Sequence, residues 1–446
     1  MSTFDPFPFK PYPKHDPQDE PEPVVYAHKI ARGLLDLDAA KVIRRLSRHG
    51  HQAYLVGGGV RDLLLGRRPK DFDVATSARP NEVRDLFRNC RVVGRRFRLA
   101  HVLFAGGKIV EVATFRKDSN QRYEVFRPRF ASEFDVCQGV DPVLLAPLAS
   151  SSQLTDTSDL LITNDNIFGE PHEDAIRRDF TINGLFYDLE RGEVIDYVGG
   201  LADLQDRVVR MIGEPAVRFR EDPIRILRAI KFSARLDLGI DSAVYDAMVQ
   251  YRGELAKSAP PRVFEELFRL MRGGAAHRSI YLAWDTGVLA EILPELSAYL
   301  DDAPEGAELT WGRLRAIDAQ HDERGVASDS ILLSALILGP LSEAMEGQRD
   351  PSVAFENFMH ELSLRLAVPR RLKDRVRLLT QTQKRMREGK LGALPRRDYF
   401  DDAATLFAID CKARGEEVPA WASDPSDAIY RATKSKPPRR RRRRRQ

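Results

Sequence analysis

The sequence predicts an α/β (α+β) head with a small mixed sheet, followed by an all-helical neck and body. Three observations predict this fold class. Short apolar runs typical of strands alternate with short helical patterns up to about residue 213. Beyond that point the apolar residues recur at helical spacing almost to the end of the chain. The 446 residues, 43% of them hydrophobic, are enough for two to four domains with apolar cores.

The chain begins with a proline-rich segment, residues 1–23, which we expect to be disordered because it has few aliphatic side chains to bury. Between Val24 and Ser47 the apolar residues recur at helical spacing and predict a leading helix or helix pair. Ala53–Val56 has the composition of a short strand and runs directly into three glycines. Val60–Leu65 then predicts a helix.

The head continues with a second strand and helix and then a hairpin. Phe72–Ala75 predicts a strand, and Pro80–Asn89 predicts a short helix for which Ser77 is a possible cap. His101–Phe104 and Lys108–Phe115 predict two strands joined by a glycine turn. Strand, helix, strand, helix and hairpin together indicate a small α/β or α+β domain.

Regular patterns disappear from about residue 119 to residue 166, where residues 149–159 are rich in Ser and Thr. We expect a flexible insertion there. We place the whole head at residues 24–213. Its last part carries a predicted strand, a short helix and an extended stretch at 194–198, 201–206 and 208–212.

The second half of the chain has helical patterns throughout. We divide it into a neck at residues 214–275, a body at residues 276–422 and a polar tail at residues 423–446 that we expect to be disordered. The predicted helices cover residues 215–236, 241–251, 261–271, 278–286 and most of 309–415.

Composition narrows the setting of the protein. The three cysteines, Cys90, Cys137 and Cys411, are far apart, which argues against a disulfide framework and for a reducing compartment. No run of about 18 apolar residues occurs, so we expect a cytoplasmic protein with no membrane-spanning segment. The net charge is +4, but residues 439–445 are seven consecutive arginines, and the rest of the chain carries −3. Such a tail is typical of proteins that bind a polyanion.

Two nearly adjacent carboxylates, Asp71 and Asp73, are candidate metal ligands. On a strand, residues two apart point to the same face, about 7 Å from each other. Carboxylates in that position can flank two divalent ions that clamp the oxygens of a phosphoryl group during its transfer. A solvent-facing polar edge is the alternative interpretation of this pair.

The neighbouring residues favour a phosphate ligand. Gly57–Gly59 joins a strand to a helix, where backbone N–H groups can approach a phosphate closely, and Arg61 can bind it through two hydrogen bonds. No Rossmann or Walker A pattern is present. Further on, Arg177, Arg178 and Asp179 precede a predicted helix and fit contacts to a triphosphate or a ribose. An ordinary capped helix start fits those three residues equally well.

Asp222, Arg225 and Arg228 are spaced three residues apart and share one face of a predicted helix. They form either a set of surface salt bridges or a face that recognises a base. A carboxylate that accepts from an exocyclic amine, beside an arginine that donates to the neighbouring ring nitrogen, would select adenine and cytosine together. It could not by itself separate the two.

Glu111 lies inside an apolar strand, where an unpaired buried carboxylate would be unfavourable. It is either a third acidic member of the site or the partner of a nearby arginine. His321 and Asp322 resemble the start of a phosphohydrolase signature, but other ligands are missing from the sequence, and we interpret the pair as part of a loop.

Four ordered blocks resemble the motifs of the class II nucleotidyltransferases of the DNA polymerase β superfamily, which includes the tRNA CCA-adding enzymes and the bacterial poly(A) polymerases. The blocks are Tyr54–Asp62, Asp71–Asp73, Arg177–Asn183 and Glu221–Arg228. A further block, Val92–Val102, resembles the signature of the bacterial poly(A) polymerases, and the helical second half and basic tail are similar to that branch.

The resemblance implies a nucleotidyltransferase fold for the head and a role for each candidate residue. The implied metal is Mg²⁺, in a two-metal site. The implied catalytic residues are Asp71, Asp73 and Asp179, the first two as metal ligands, and the implied nucleotide-binding residues are Gly58, Arg61, Arg178, Asp222, Arg225 and Arg228.

The implied reaction is attack of an RNA 3′-hydroxyl on the α-phosphorus of ATP, with release of pyrophosphate and without a template. Repetition would grow a poly(A) tail in mRNA processing and RNA decay. The partners would be ATP and RNA 3′ ends, whose phosphates the helical half and the arginine tail bind largely without regard to sequence. We expect a monomer. The alternatives are a CCA- or A-adding tRNA nucleotidyltransferase and a non-catalytic RNA-binding protein.

Overall fold

The computed structural model describes residues 23–117, apart from 29, 32 and 95–97, together with residues 167–426 and 429. The proline-rich start, the insertion at 119–166, Cys137, the centre of the Val92–Val102 block and the arginine run lie outside the described residues. The described residues up to Ala202 form one compact unit, and those from Asp203 onward form a second.

The first unit is built on a mixed sheet. Its strands are β1 (Val24–Ala27), β2 (Ala53–Val56), β3 (Val74–Thr76), β4 (Cys90–Val93), β5 (Leu99–Leu103), β6 (Ile109–Thr114), β7 (Leu185–Asp188) and β8 (Glu193–Asp196). Its helices are α1 (Leu37–Arg48), α2 (Gly58–Leu64), α3 (Pro80–Leu86) and α4 (Pro171–Ile176), and α5 (Gly200–Gln205) runs into the second unit. The mixed sheet confirms the fold class that we predicted for the head.

The order of the strands brings the ends of β2, β3 and β6 together at the centre of the sheet. The order is β1-β8-β7-β2-β3-β6-β5-β4, and among these pairs only β3 and β6 run parallel. In that parallel pair Val74 lies opposite Val112. Both valines and Leu55 of β2 are buried. Residues just before β3 and near the start of β6 are therefore held on a rigid, packed support.

The helix that we predicted from Val24 onward is wrong in its first part, because Val24–Ala27 is strand β1. This strand pairs antiparallel with β8. α1 begins only at Leu37, where Oδ1 of Asp36 accepts the backbone N–H groups two and three residues later, at 2.9 and 3.0 Å. Both β1 and the unpredicted β4 are edge strands of four residues, and their pairing with remote strands decides their conformation.

The second unit is helical apart from the short parallel pair β9 (Val208–Val209) and β10 (Gly239–Ile240). Of the helices that the structure describes in either unit, none combines the length and the hydropathy of a transmembrane span. The helices of the second unit are α6 (Pro215–Glu221), α7 (Ile224–Leu236), α8 (Ser242–Tyr251), α9 (Pro260–Met271), α10 (Ala276–Asp285), α11 (Val288–Ile292), α12 (Pro294–Asp302), α13 (Pro304–Arg324), α14 (Asp329–Met345), α15 (Pro351–Leu366), α16 (Arg370–Arg387), α17 (Phe400–Arg414) and α18 (Ala420–Ser423).

Two sequence predictions for this unit are wrong in detail. The stretch 215–236, which we predicted to be helical, is broken between α6 and α7, because Pro223 disfavours helical geometry at Asp222, which has φ −147° and ψ 93°. The pair His321–Asp322, which we interpreted as a loop, lies inside α13. That helix ends at Gly325, whose φ is +85°.

Candidate active site

The glycine turn between β2 and α2 forms one side of the candidate site. Gly57 has a φ of +67°, in the region that favours glycine, and its N–H donates to the carbonyl of Leu185 in β7 at 3.0 Å. A Cβ atom on Gly57 would lie 2.8 Å from Nη1 of Arg178, and one on Gly59 would lie 3.5 Å from the carbonyl oxygen of Asp71. The turn is therefore in close contact with two other parts of the predicted site.

The two carboxylates precede β3 instead of lying on it. Because β3 begins at Val74, the strand geometry that we used to place Asp71 and Asp73 on one face does not apply, and that part of the prediction is wrong. Asp73 is nevertheless fixed to the sheet, since its carbonyl accepts the N–H of Val56 in β2 at 3.1 Å. Neither carboxylate has an ion-pair partner among the described residues.

Asp73 is an unusual carboxylate. The residue is exposed on one side, but neighbouring protein atoms crowd its carboxyl group. The pKa of Asp73 is raised to about 6, first because this burial desolvates the carboxylate and then because Glu111 and Asp71 repel its negative charge, while Arg178 acts in the opposite direction. A cation bound between these carboxylates would relieve the repulsion.

Glu111 lies on β6, and its side chain is half exposed. Its Oε1 lies 3.7 Å from Nε2 of His101, the residue opposite on β5. Among the described residues, no arginine pairs with Glu111. Its charge acts to raise the pKa of Asp73, which fits the alternative of an acidic neighbour of the site and gives no support to that of an arginine partner.

Arg61 lies beneath the glycine turn and is only 3% exposed. A Cβ atom on Gly58 would lie 3.4 Å from its Nη2. Nε and Nη2 donate to Oδ1 of Asp62 at 2.9 and 2.6 Å, and Nη1 donates to Oδ1 of Asn183 at 2.6 Å. The guanidinium thus faces protein groups in this arrangement, and it places a positive charge behind the turn.

Arg178 extends from the end of α4 to the glycine turn. Its Nη1 donates to the carbonyl of Asn183 at 3.2 Å, and its guanidinium lies over the ring of Phe186 at 5.2 Å. Nη2 of Arg178 and Nη2 of Arg177 donate to the two oxygens of Asp174, at 2.8 and 2.7 Å. Burial acts to raise the pKa of Asp174, but the two guanidiniums lower it overall. Asp174, which the sequence analysis missed, therefore fixes both arginines.

Asp179 is buried and serves as an anchor for Asn183. Its Oδ1 accepts the N–H of Phe180 at 2.8 Å and Nδ2 of Asn183 at 2.9 Å. The helix that we predicted after Asp179 is wrong, because Thr181–Asn183 forms only a 3₁₀ turn. Asn183 joins Asp179 to Arg61, so these residues support the glycine turn as one network. Asn183 is the last residue of the block Arg177–Asn183, but its role depends on contacts that sequence alone does not give.

The predicted base-reading residues lie in the second unit, where α6 meets α7. Asp222 is extended and precedes the helix, so the prediction that all three residues share one helix face is wrong for Asp222. Its Oδ2 accepts from Nη2 of Arg262 at 3.0 Å, whereas its Oδ1 is buried without a hydrogen-bond partner among the described residues. Arg228 lies further along α7, with its guanidinium 5.4 Å from the ring centre of Phe232.

Arg225 is held by two buried residues that the sequence analysis did not single out. Oε2 of Glu221 accepts from Nη1 of Arg218 at 3.1 Å and from Nη1 of Arg225 at 3.0 Å. The same Nη1 of Arg225 also donates to the carbonyl of Arg218 at 2.9 Å. Burial and the charge of Arg218 lower the pKa of Arg225, while Glu221 opposes them. Glu221 thus supplies the negative charge that allows two arginines to be buried together.

The carboxylates of the first unit fit divalent cations. Asp71 and Asp73 have no ion-pair partner among the described residues, and Glu111 adds negative charge beside them. Among the described residues, however, no group of three or more Asp, Glu, His or Cys side chains is arranged to hold a metal unaided. A cation at this position would need oxygens from a bound phosphate, which is the coordination that Mg²⁺ adopts in phosphoryl transfer.

Two families match the chain. Residues 53–210 match the family described as "Poly A polymerase head domain", which covers the glycine turn, both carboxylates and the Arg178 network. Residues 237–300 match the family described as "Probable RNA and SrmB- binding site of polymerase A".

Similar proteins come from two groups. The chain is 38% identical to Poly(A) polymerase I of Salmonella typhimurium over 376 residues. This alignment covers 81% of this chain and 75% of that protein. The chain is also 38% identical over 377 residues to Poly(A) polymerase I of Escherichia coli O157:H7, with the same shares covered. The CCA-adding enzyme of Bacillus licheniformis is 34% identical over 258 residues, 58% of this chain and 56% of that protein.

Solved structures share the fold. The structure of the Bacillus stearothermophilus CCA-adding enzyme in complex with CTP superposes with a TM-score of 0.59 at 24% identity. The match covers 89% of this chain and 91% of that enzyme's chain. The Thermotoga maritima CCA-adding enzyme complexed with tRNA has a TM-score of 0.54 at 19% identity, covering 87% and 83%. At these identities the similarity establishes the architecture of a nucleotidyltransferase head followed by helices.

Proposed function

This chain belongs to the family of bacterial poly(A) polymerases, and we propose that it adds AMP units from ATP to the 3′ end of RNA without a template. The observation that carries the chemistry is the environment of Asp73. Asp71 and Asp73 lie beside the glycine turn, which Arg178 also approaches, and the charges of Glu111 and Asp71 act to raise the pKa of Asp73. That combination suits the transfer of a phosphoryl group, in which cations and donors must stabilise negative charge at defined positions.

We infer that Asp71 and Asp73 would hold Mg²⁺, together with phosphate oxygens of ATP. When bound, Mg²⁺ would favour deprotonation of the RNA 3′-hydroxyl and neutralise charge on the leaving pyrophosphate. The chain's own residues do the positioning. The turn can offer the backbone N–H groups of Gly58 and Gly59 to the triphosphate, since that of Gly57 is bonded to Leu185, and Arg178 is partly exposed beside the turn. Arg61 and Asp179 support the turn from within the protein.

We propose that the base of ATP is recognised in the second unit. Oδ1 of Asp222, which is buried and has no hydrogen-bond partner in the part of the chain that the structure describes, is an acceptor suited to the exocyclic amine of adenine. Arg225, which Glu221 holds in one place, is the candidate donor to the adjacent ring nitrogen. Cytosine presents the same order of donor and acceptor, so these two residues favour ATP and CTP together over GTP and UTP. The identity to poly(A) polymerases over most of the chain supports ATP as the substrate.

RNA is the proposed acceptor. The family match over residues 237–300 supports an RNA-binding role for the second unit, and the run Arg439–Arg445 adds a strong attraction to phosphates. We expect activity on mRNA and other transcripts in the cytoplasm, in mRNA processing and RNA decay, by a monomeric enzyme.

Extension of one RNA with each nucleotide in turn tests the proposal. Purified protein, Mg²⁺ and an unstructured RNA are incubated with ATP, CTP, GTP or UTP alone, and the products are sized on a denaturing gel. Long products with ATP alone support a poly(A) polymerase. Extension that needs CTP, and that stops after a few residues on a tRNA-like acceptor, would assign the chain to the CCA-adding group instead. RNA binding without incorporation of any nucleotide would identify a non-catalytic RNA-binding protein.

A further inference from the structure

Four aromatic side chains form a continuous surface in the second unit, away from the base-reading residues in sequence. His277, Tyr281 and Trp284 lie four and three residues apart on α10, and Trp311 joins them from α13. We call these four residues the aromatic patch. The ring centres of its contacting pairs are 5.8 to 6.5 Å apart. His277 and Tyr281 are nearly parallel, at 28°, whereas the two tryptophans meet at 62°.

The burial pattern of α10 is the reverse of what stability alone would favour. The residues that α10 buries are Ala276, Ser279, Ile280 and Ala283, mostly small side chains. His277 and Trp284 are left half-buried, and Tyr281 is 44% exposed. Because aromatic side chains gain the most from burial, a helix that buries small residues and exposes rings is typical of a binding surface.

We propose that the aromatic patch is a stacking platform for unpaired bases of the RNA that the enzyme extends. The inference rests on the proposed function, since it assigns part of the RNA site of that same enzyme. Base stacking on aromatic rings tolerates any sequence, because every base has a planar face. A platform of this kind would keep the growing tail attached between successive additions.

The patch is held rigid, which reduces the loss of entropy when a base stacks on it. Nε1 of Trp284 donates to Oδ1 of Asp301 at 2.8 Å and fixes the orientation of the indole. Asp318 of α13 accepts the backbone N–H groups of Ala276 and His277, at 2.6 and 3.0 Å, and ties the start of α10 to α13. These bonds fix the indole of Trp284 and the position of α10 against α13.

Charges of both signs lie around the patch, so RNA binding there would have to come from the bases. Arg315 lies near His277, but it donates to Glu308 at 2.5 Å, and Asp301 and Asp318 add negative charge. With acids beside the rings, the patch offers little net attraction to phosphate. Binding at the patch should therefore depend weakly on salt, in contrast to binding by the arginine run.

Position favours RNA over a protein partner. Three of the four rings lie within residues 237–300, which match the family described as "Probable RNA and SrmB- binding site of polymerase A". That description names both RNA and a protein. Flat, partly exposed rings with polar edges are suited to stacked bases, and the patch is continuous with the segment assigned to RNA binding.

Tryptophan fluorescence tests the proposal directly. The chain has 3 tryptophans, and Trp421 packs elsewhere, against Phe407. The full-length Trp421→Phe variant therefore reports on the patch alone. Titration with an oligoadenylate of about ten nucleotides, within the site sizes of single-strand binding proteins, should quench this signal to saturation. Adding Tyr281→Ala should raise the Kd about tenfold, the effect of losing one stacking partner. Adding Tyr281→Phe should leave the Kd within about twofold, because the ring is retained.

The controls separate this inference from the proposed function. Leu364→Ala removes an apolar side chain of α15 that is 65% exposed and lies on another helix of the second unit, and it should not alter quenching. Thermal unfolding must show that Tyr281→Ala is folded; if it is not, Tyr281→Ser and Tyr281→Leu replace it. Absence of saturable quenching, or equal affinity of the Ala and Phe variants, overturns the platform, and a surface for a protein partner would then be the remaining explanation. Quenching without AMP incorporation by the wild type would overturn the proposed function and leave the platform standing.

Discussion

Replacing Gly57 by alanine tests how the glycine turn, Arg178 and the carboxylates work together. Gly57 has a φ of +67°, and its new Cβ atom would lie 2.8 Å from Nη1 of Arg178. The variant Gly66→Ala is a matched control, because Gly66 has a φ of +68° and no atom within 4 Å of the position of a Cβ. Both variants introduce backbone strain, but only Gly57→Ala forces Arg178 away from the turn.

The expected losses follow from these contacts. A side chain in the left-handed region costs about 1–2 kcal/mol, which both variants share. Moving Arg178 also breaks its hydrogen bond to the carbonyl of Asn183, 3.2 Å long, and a hydrogen bond from a charged donor contributes about 1.5–3 kcal/mol. Gly57→Ala should therefore be less stable than Gly66→Ala by about 2 kcal/mol.

A loss of catalysis is expected in addition to the loss of stability. If Arg178 binds the triphosphate, its displacement removes about 1.5–3 kcal/mol of stabilisation, and kcat/KM for ATP falls about 10- to 100-fold. Gly66→Ala should keep kcat/KM within about twofold at a temperature where both variants are folded. Urea unfolding and initial rates of AMP incorporation measure the two quantities. Equal losses of activity in the two variants would refute the placement of Arg178 at the nucleotide.

Three further changes test other parts of the structure. Glu221→Gln removes the charge that Arg218 and Arg225 share. Incorporation of GTP relative to ATP should then rise about tenfold, an effect of ~1.4 kcal/mol. The control Glu388→Gln, a surface change in an ion pair with Lys390, should leave this ratio unchanged. Deleting residues 437–446 should raise KM for RNA while KM for ATP stays constant. The slope of the logarithm of the RNA-binding constant against the logarithm of salt concentration should become less steep by up to about 5, for seven arginines on a single strand. An unchanged slope would contradict a role of the tail in RNA binding. Burial, followed by the charge of Arg228, lowers the pKa of Lys231 to about 8. Between about pH 8 and 10.5 the unfolded state therefore binds more protons than the folded state, and the free energy of unfolding should rise with pH relative to that of Lys231→Met. Urea unfolding at each pH measures this difference.

The sequence predicted the fold class because the signals were local. Alternating strand and helix patterns marked the head, and apolar residues at helical spacing marked the rest. The edge strands β1 and β4 were missed because four residues carry little periodicity, and pairing with a remote strand decides their conformation. The break at Asp222 agrees with Pro223 just after it, which fits a helix start, although the apolar spacing over residues 215–236 continues through the break.

The sequence predicted the candidate reactive residues of the site, but not the residues that hold them in position. Asp71 and Asp73 do lie near the glycine turn, but tertiary contacts bring them there, since neither is on the strand that we had assumed. Asp174, Asn183 and Glu221 position the arginines of the site. Their importance comes from burial and from partners distant in sequence, such as Asn183 with Arg61, 122 residues away. No spacing rule predicts such contacts.

The most direct measurement of the central claim is AMP incorporation by the variant Asp73→Asn. This change keeps the shape of the side chain and removes the charge that would hold a cation. Asp85→Asn, an exposed carboxylate of the same unit, is the matched control. With RNA binding measured in parallel, the account predicts that Asp73→Asn binds oligoadenylate as the wild type does but incorporates no AMP above background, while Asp85→Asn is fully active. Sustained incorporation by Asp73→Asn would contradict the assignment of this site to phosphoryl transfer.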